Sequence, residues 1–269
     1  MRIHLPLGAA LGLAAGVALA DPPRDAPAQS DAYGYSVAAA APSCPYQPVD
    51  MTSAPTLALS AAEGAADASD DGAAVLDLAA PFELYGGAVP RLMVSSNGYL
   101  AAAAGAEADD GGDFSNDCPL PAAPDHVGAS SARIYAYHDD LAGPAGAVRS
   151  SYFATCPRPA ASGAAEACTV VAWTGWGRVG GAGALSFQAV LYHTSFEIAL
   201  QYLALDASAG GSASIGAQDA TARSAAVWSC NGSRTLAAGS AVCLFDPRYP
   251  PGSGGVVDRL FRDGFDGTP

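Results

Sequence analysis

Apolar and polar residues alternate most cleanly in Phe196-Glu-Ile-Ala-Leu-Gln-Tyr202. Phe196, Ile198, Leu200 and Tyr202 point one way and Glu197, Ala199 and Gln201 the other, a period of two that predicts a strand with one buried face and one wet face. Short runs rich in Val, Leu, Tyr and Trp recur at 74–78, 91–95, 99–103, 133–138, 148–153, 169–176, 185–193, 212–217, 225–229 and 242–245, with Gly, Asp, Asn or Pro between them. Their number and spacing predict an all-β fold, a two-sheet antiparallel β-sandwich with long Ala/Gly/Pro-rich loops. Asn97-Gly98 predicts a two-residue type I′ hairpin turn. The Ala-rich stretches 60–68 and 101–108 have helix propensity, but the first lacks an apolar stripe and the second runs from a strand into an acidic loop, so no helix is predicted there. Trp173 and Trp176 lie three apart, so in a regular strand they face opposite sides: one belongs to the core, the other is either covered or an aromatic platform for sugar or peptide.

The same pass divides the chain. Residues 1–20 read as a secretory signal peptide, with Arg2 and His4 before an apolar stretch and Ala18-Leu19-Ala20 at the cleavage point, so export and cleavage before Asp21 are expected. Residues 21–51, with many Pro, Ala and Ser, are expected to form an extended leader tied down at Cys44, ahead of a sandwich domain at 52–246. A Pro/Gly linker at 247–255 then precedes a short tail at 256–269, whose Leu260, Phe261 and Phe265 suggest a contact for export or sorting machinery. No stretch after the signal is long and apolar enough to span a bilayer.

Charge narrows the partners. Twelve Lys+Arg against 26 Asp+Glu give a formal charge of −14, and no lysine occurs, so a clustered basic surface for DNA or RNA cannot be assembled. Six cysteines, an even number in an exported chain, favour three disulfides. Among about 15 possible pairings, sequence-local pairing gives Cys156–Cys168 and Cys230–Cys243 and leaves Cys44 for Cys118. No C-x-x-C and no Cys/His cluster occurs, which speaks against zinc and dithiol redox chemistry.

Candidate chemistry is sparse. In His138-Asp139-Asp140-Leu141, Asp139 and Asp140 at a strand end could hold calcium with backbone carbonyls; the alternative is a carboxylate pair capping a turn. No other cofactor is suggested. The acidic run 109–117 lacks the D-x-D-x-D-G register and reads as a solvated loop tied down at Cys118. His126, His138 and His193 show no metal-ligand spacing, and neither G-x-S-x-G nor a phosphate loop occurs, so no catalytic residue is assigned.

Pro81-Phe-Glu-Leu-Tyr-Gly86, Leu92-Met-Val-Ser-Ser-Asn-Gly-Tyr-Leu100, Arg133-Ile-Tyr-Ala-Tyr-His-Asp-Asp-Leu141, Phe187-Gln-Ala-Val-Leu-Tyr192 and Ile198-Ala-Leu-Gln-Tyr202, in this order, resemble the nidogen-type extracellular (NIDO-like) module and related β-sandwich modules of bacterial secreted proteins. The resemblance spans about 81–219. It departs from the family pattern at His138, where a Trp is usual, and at 101–104, where alanines replace an aromatic or β-branched strand. It implies a non-catalytic surface or matrix domain of adhesion-type proteins. The ending Asp258-Arg-Leu-Phe-Arg-Asp-Gly-Phe-Asp266 separately resembles the Gly-Phe-Glu type terminus of exported gammaproteobacterial proteins. The expectation is therefore an exported, extracytoplasmic protein that binds a protein or glycan; the alternatives are a secreted hydrolase with groups drawn from distant positions, or a structural envelope component.

Overall fold

The structure, a computed structural model, describes residues 29–39, 41–62, 64–102, 111–124 and 130–252. The signal peptide, the 256–269 tail, residues 253–255 of the linker and His126 lie outside the described residues. In chain order the strands are β1 (Gln29–Ser30), β2 (Ser36–Ala39), β3 (Ser60–Ala61), β4 (Gly72–Asp77), β5 (Glu83–Leu84), β6 (Gly87–Ala88), β7 (Arg91–Ser95), β8 (Tyr99–Ala102) and β9 (Arg133–His138). They continue as β10 (Leu141–Ala142), β11 (Ala147–Phe153), β12 (Cys168–Arg178), β13 (Leu185–Tyr192), β14 (Ile198–Ala204), β15 (Ser214–Gln218), β16 (Ala225–Cys230) and β17 (Ser240–Phe245). Among the described residues there is no helix long and apolar enough to cross a membrane.

Two antiparallel sheets form the sandwich. Sheet A has the order β1-β2-β17-β14-β13-β12, with β10 and β11 both pairing along β12; sheet B has the order β16-β15-β9-β8-β7-β4-β3. The chain makes the meander β11 to β14 in sheet A, crosses to β15 and β16 in sheet B, and returns as β17 between β14 and β2. Between the sheets lie Trp173, Phe187, Leu200 and Tyr202 from sheet A and Leu92, Val94, Leu100, Ile134 and Tyr137 from sheet B.

The two-residue alternation holds for the inner faces and is broken by bulges that re-aim single side chains. Between Thr174 and Trp176 the register of β12 on β13 shifts, with Gly175 at φ +73°, so Trp176 returns to the face of Trp173. Both indoles are core residues, with Trp173 Nε1 donating to Ser95 O at 2.8 Å, and the platform reading is withdrawn. In β9 the amides of Ala136 and Tyr137 both donate to Gly98 O, two residues against one, which turns Tyr137 inward and His138 outward.

The expected wet face of 196–202 is also corrected, because sheet A is covered on its outside. Glu197 and Gln201 are buried beneath two covers: a strap, residues 44–54, and the 157–167 loop. Gln201 Oε1 accepts from Gln47 N at 2.8 Å, and Gln188 bonds both Val49 N (3.0 Å) and Val49 O (2.7 Å). The leader's described residues, from 29 on, are thus part of the fold: β2 pairs with β17, and Val49 and Met51 pack on Val170, Ala172 and Val190. The start of the linker is packed too. Arg248 bonds Asp246 and Glu83 at 2.9 and 2.8 Å, and the Tyr249 ring lies edge-on to Phe196.

The three disulfides pin these covers. They join Cys44 to Cys243, Cys118 to Cys230 and Cys156 to Cys168, so the expected Cys230–Cys243 and Cys44–Cys118 pairs are replaced. Strand order explains the exchange: β2 lies on β17 with Ala38 opposite Cys243, which delivers Cys44 to that sulfur, while Cys118 ends the loop folded over β9, β15 and β16.

Candidate functional site

Three arrangements bear on chemistry. The first begins at the β7–β8 turn. Ser96-Asn97-Gly98 is a three-residue loop with Gly98 alone of the pair in the left-handed region at φ +75°, in place of the expected two-residue turn. Asn97 is fully buried because its side chain is drawn inward: Nδ2 donates to Asp71 Oδ1 at 2.7 Å and Oδ1 accepts from Leu141 N at 2.9 Å. That geometry separates the two carboxylates singled out in the sequence. Asp139 accepts from Ser212 Oγ at 2.6 Å and is buried, whereas Asp140 joins Asp70 and Asp71, their carboxylate oxygens within 4.8 Å of one another. Burial, then the charges of Asp70, Asp71 and Asp139, hold the Asp140 carboxyl above the usual carboxylate range. A proton or a hard divalent cation would relieve that repulsion. Asp70 and Asp71 were missed because they precede β4 in a separate segment, and only the β4–β7 pairing brings them beside the β7–β8 turn.

The second lies on the outer face of sheet B under the 111–118 loop. Arg133 is buried; it donates to Asp113 at 2.5 Å, lies 3.5 Å from Asp117, and stacks over Tyr99 with its Cζ 4.3 Å from the ring centre. His138 sits beside it, Nε2 2.7 Å from Ser115 O and Nδ1 3.1 Å from Asn97 O. Burial pushes the Asp113 carboxyl up, but Arg133 and His138 outweigh it and hold the group below its usual range; burial pushes the His138 imidazole down. The guanidinium is the cation of this cluster, and the acidic run expected to be a solvated loop is here partly a buried lid.

The third is a hydroxyl–imidazole pair, Thr169 Oγ1 to His193 Nε2 at 2.8 Å, with His193 Nδ1 2.8 Å from Pro81 O. Its groups are those of a nucleophile and base. Thr169 is 3% exposed, however, and the rings of Phe82 and His193 lie T-shaped with centroids 6.4 Å apart, so the pair ties the 81–82 segment to sheet A.

An open concavity lies elsewhere among the described residues. A groove of about 730 Å³ runs along the outer face of sheet A where the strap ends. Asp50 and Met51 form one wall, Thr174, Ser186 and Leu203 the floor, and Arg149 the rim. The floor residues alternate with the inward side chains of β12, β13 and β14, so rigid paired strands position them.

No curated protein and no solved structure matches the chain. One family's sequence profile, described as NIDO related, matches residues 34–244, from β2 through β17 and including the pinned strap and all six cysteines. With more than half of its length inside that match, the chain belongs to the NIDO-related family.

Proposed function

We propose that this protein is an extracytoplasmic, non-catalytic binding module whose ligand is a protein, held in the groove beside the strap. The observation that carries the reading is the groove itself, a concave surface on the outer face of sheet A whose lining sets Val49, Met51 and Leu203 beside the hydroxyls of Thr174 and Ser186 and the charges of Asp50 and Arg149. The family and the three disulfides fit an extracellular or extracytoplasmic setting. Among the described residues no aromatic ring lines the groove, and a ring is the surface on which the C–H face of a sugar packs, so the lining favours a polypeptide over a glycan. The closed state of the Thr169–His193 pair supports the non-catalytic part.

Leu203→Arg combined with Ser186→Arg fills the groove from two half-exposed floor positions. Purified parent is expected to bind whole bacterial cells or their protease-sensitive surface fraction, and the double variant to lose that binding with an unchanged melting temperature. Equal binding by both proteins, binding confined to a glycan array, or turnover in a hydrolase screen would each reject the proposal.

A further inference from the structure

Two of the three disulfides share the outer face of sheet A, and one covers the other. Cys44 and Cys243 are fully buried. Over Cys243 lies Arg158, whose Nη2 is 3.3 Å from the sulfur; its Nη1 donates to Glu197 at 3.0 Å and to the Tyr192 hydroxyl at 2.8 Å. Arg158 belongs to the 157–167 loop, which Cys156–Cys168 closes and whose Ala161 N donates to Glu197 at 2.6 Å. Cys156 is the more exposed end of that closure, at 9%. A thiolate must reach a sulfur to exchange with it, so access sets the order in which bonds can break.

We propose that the 157–167 loop is a redox-operated cap, and that a dithiol must open Cys156–Cys168 before it can reach Cys44–Cys243. In the first step one thiolate of the reductant attacks Cys156 Sγ and Cys168 leaves as the thiolate. The second thiol of the reductant then expels Cys156 and closes the reductant's own disulfide, two electrons having passed to the protein. Loss of the closure lets Arg158 swing off Cys243. The same two-electron exchange at Cys44–Cys243 then frees the covalent anchor of the strap and uncovers Val170, Ala172 and Val190.

The test is timed reduction of the full chain by dithiothreitol, with trapping by N-ethylmaleimide and peptide mass spectrometry of each bond. In the parent, Cys156–Cys168 should open before Cys44–Cys243, whenever the half-buried Cys118–Cys230 opens. In the Cys156→Ser/Cys168→Ser variant, Cys44–Cys243 should open at least about tenfold faster, with Cys118–Cys230 unchanged, as local rather than global opening requires. Early opening of Cys44–Cys243 in the parent, an unaltered rate in the variant, or equal acceleration of Cys118–Cys230 would overturn the proposal. If the variant does not fold, the order in the parent decides alone.

Discussion

Gly98 and Gly175 have nearly the same backbone, φ +75° and +73°, and different surroundings. A Cβ on Gly98 would stand 2.0 Å from Tyr137 O, whereas one on Gly175 would meet nothing closer than 3.7 Å. Gly175→Ala therefore carries only the cost of a left-handed alanine, about 1 kcal/mol. Gly98→Ala adds displacement of β9 and should cost on the order of 3 kcal/mol or more. Urea denaturation of the two variants measures the difference, and equal costs would show that the close approach of Gly98 to β9 is wrong. Asp140 gives a residue-scale prediction with a pH sign. Its folded pKa lies above that of the unfolded chain, so the folded state holds the proton more tightly and pays a penalty that is absent below about pH 4 and grows as pH rises through the folded value. In a chelator, Asp140→Asn should raise the melting temperature at pH 7, and the gain should vanish towards pH 4. A gain that persists at pH 4 would assign the effect to something other than the carboxylate cluster.

At the scale of elements, the strap is held by amides acting as a substitute strand. Gln188→Ala leaves both Val49 N and Val49 O without their partners in a buried place, an expected loss of about 2–4 kcal/mol by chemical denaturation. A loss within experimental error of zero would mean that the strap is not docked. This element also shows what is legible in the sequence. The inward alternation of β7, β13 and β14 is visible because apolar side chains recur with the strand period. The outward face is not, because Glu197, Gln188 and Gln201 look like solvated residues until Arg158 and the strap amides are placed on them. The placing of Trp173 and Trp176 on opposite faces fails for a related reason: one bulge at Gly175 reverses the parity on which it rested. Of the cation candidates, Asp140 is legible from its strand end, while its partners Asp70 and Asp71 arrive through sheet pairing.

For the whole molecule, each sheet has an outer face covered in part by chain that is covalently fastened: the strap and the 157–167 loop on sheet A, the 111–118 loop on sheet B. Two of these fastenings join residues 199 and 112 positions apart, which is why pairing by nearness in sequence fails while pairing by strand order succeeds. The covers seal buried charge pairs, Arg158 with Glu197 and Arg133 with Asp113, and leave the groove accessible on the outer face of sheet A. The most direct measurement of this architecture is non-reducing peptide mapping of the purified, air-oxidised protein. The account predicts linked peptides joining Cys44 to Cys243, Cys118 to Cys230 and Cys156 to Cys168; a Cys230–Cys243 or Cys44–Cys118 peptide in the folded protein would contradict it.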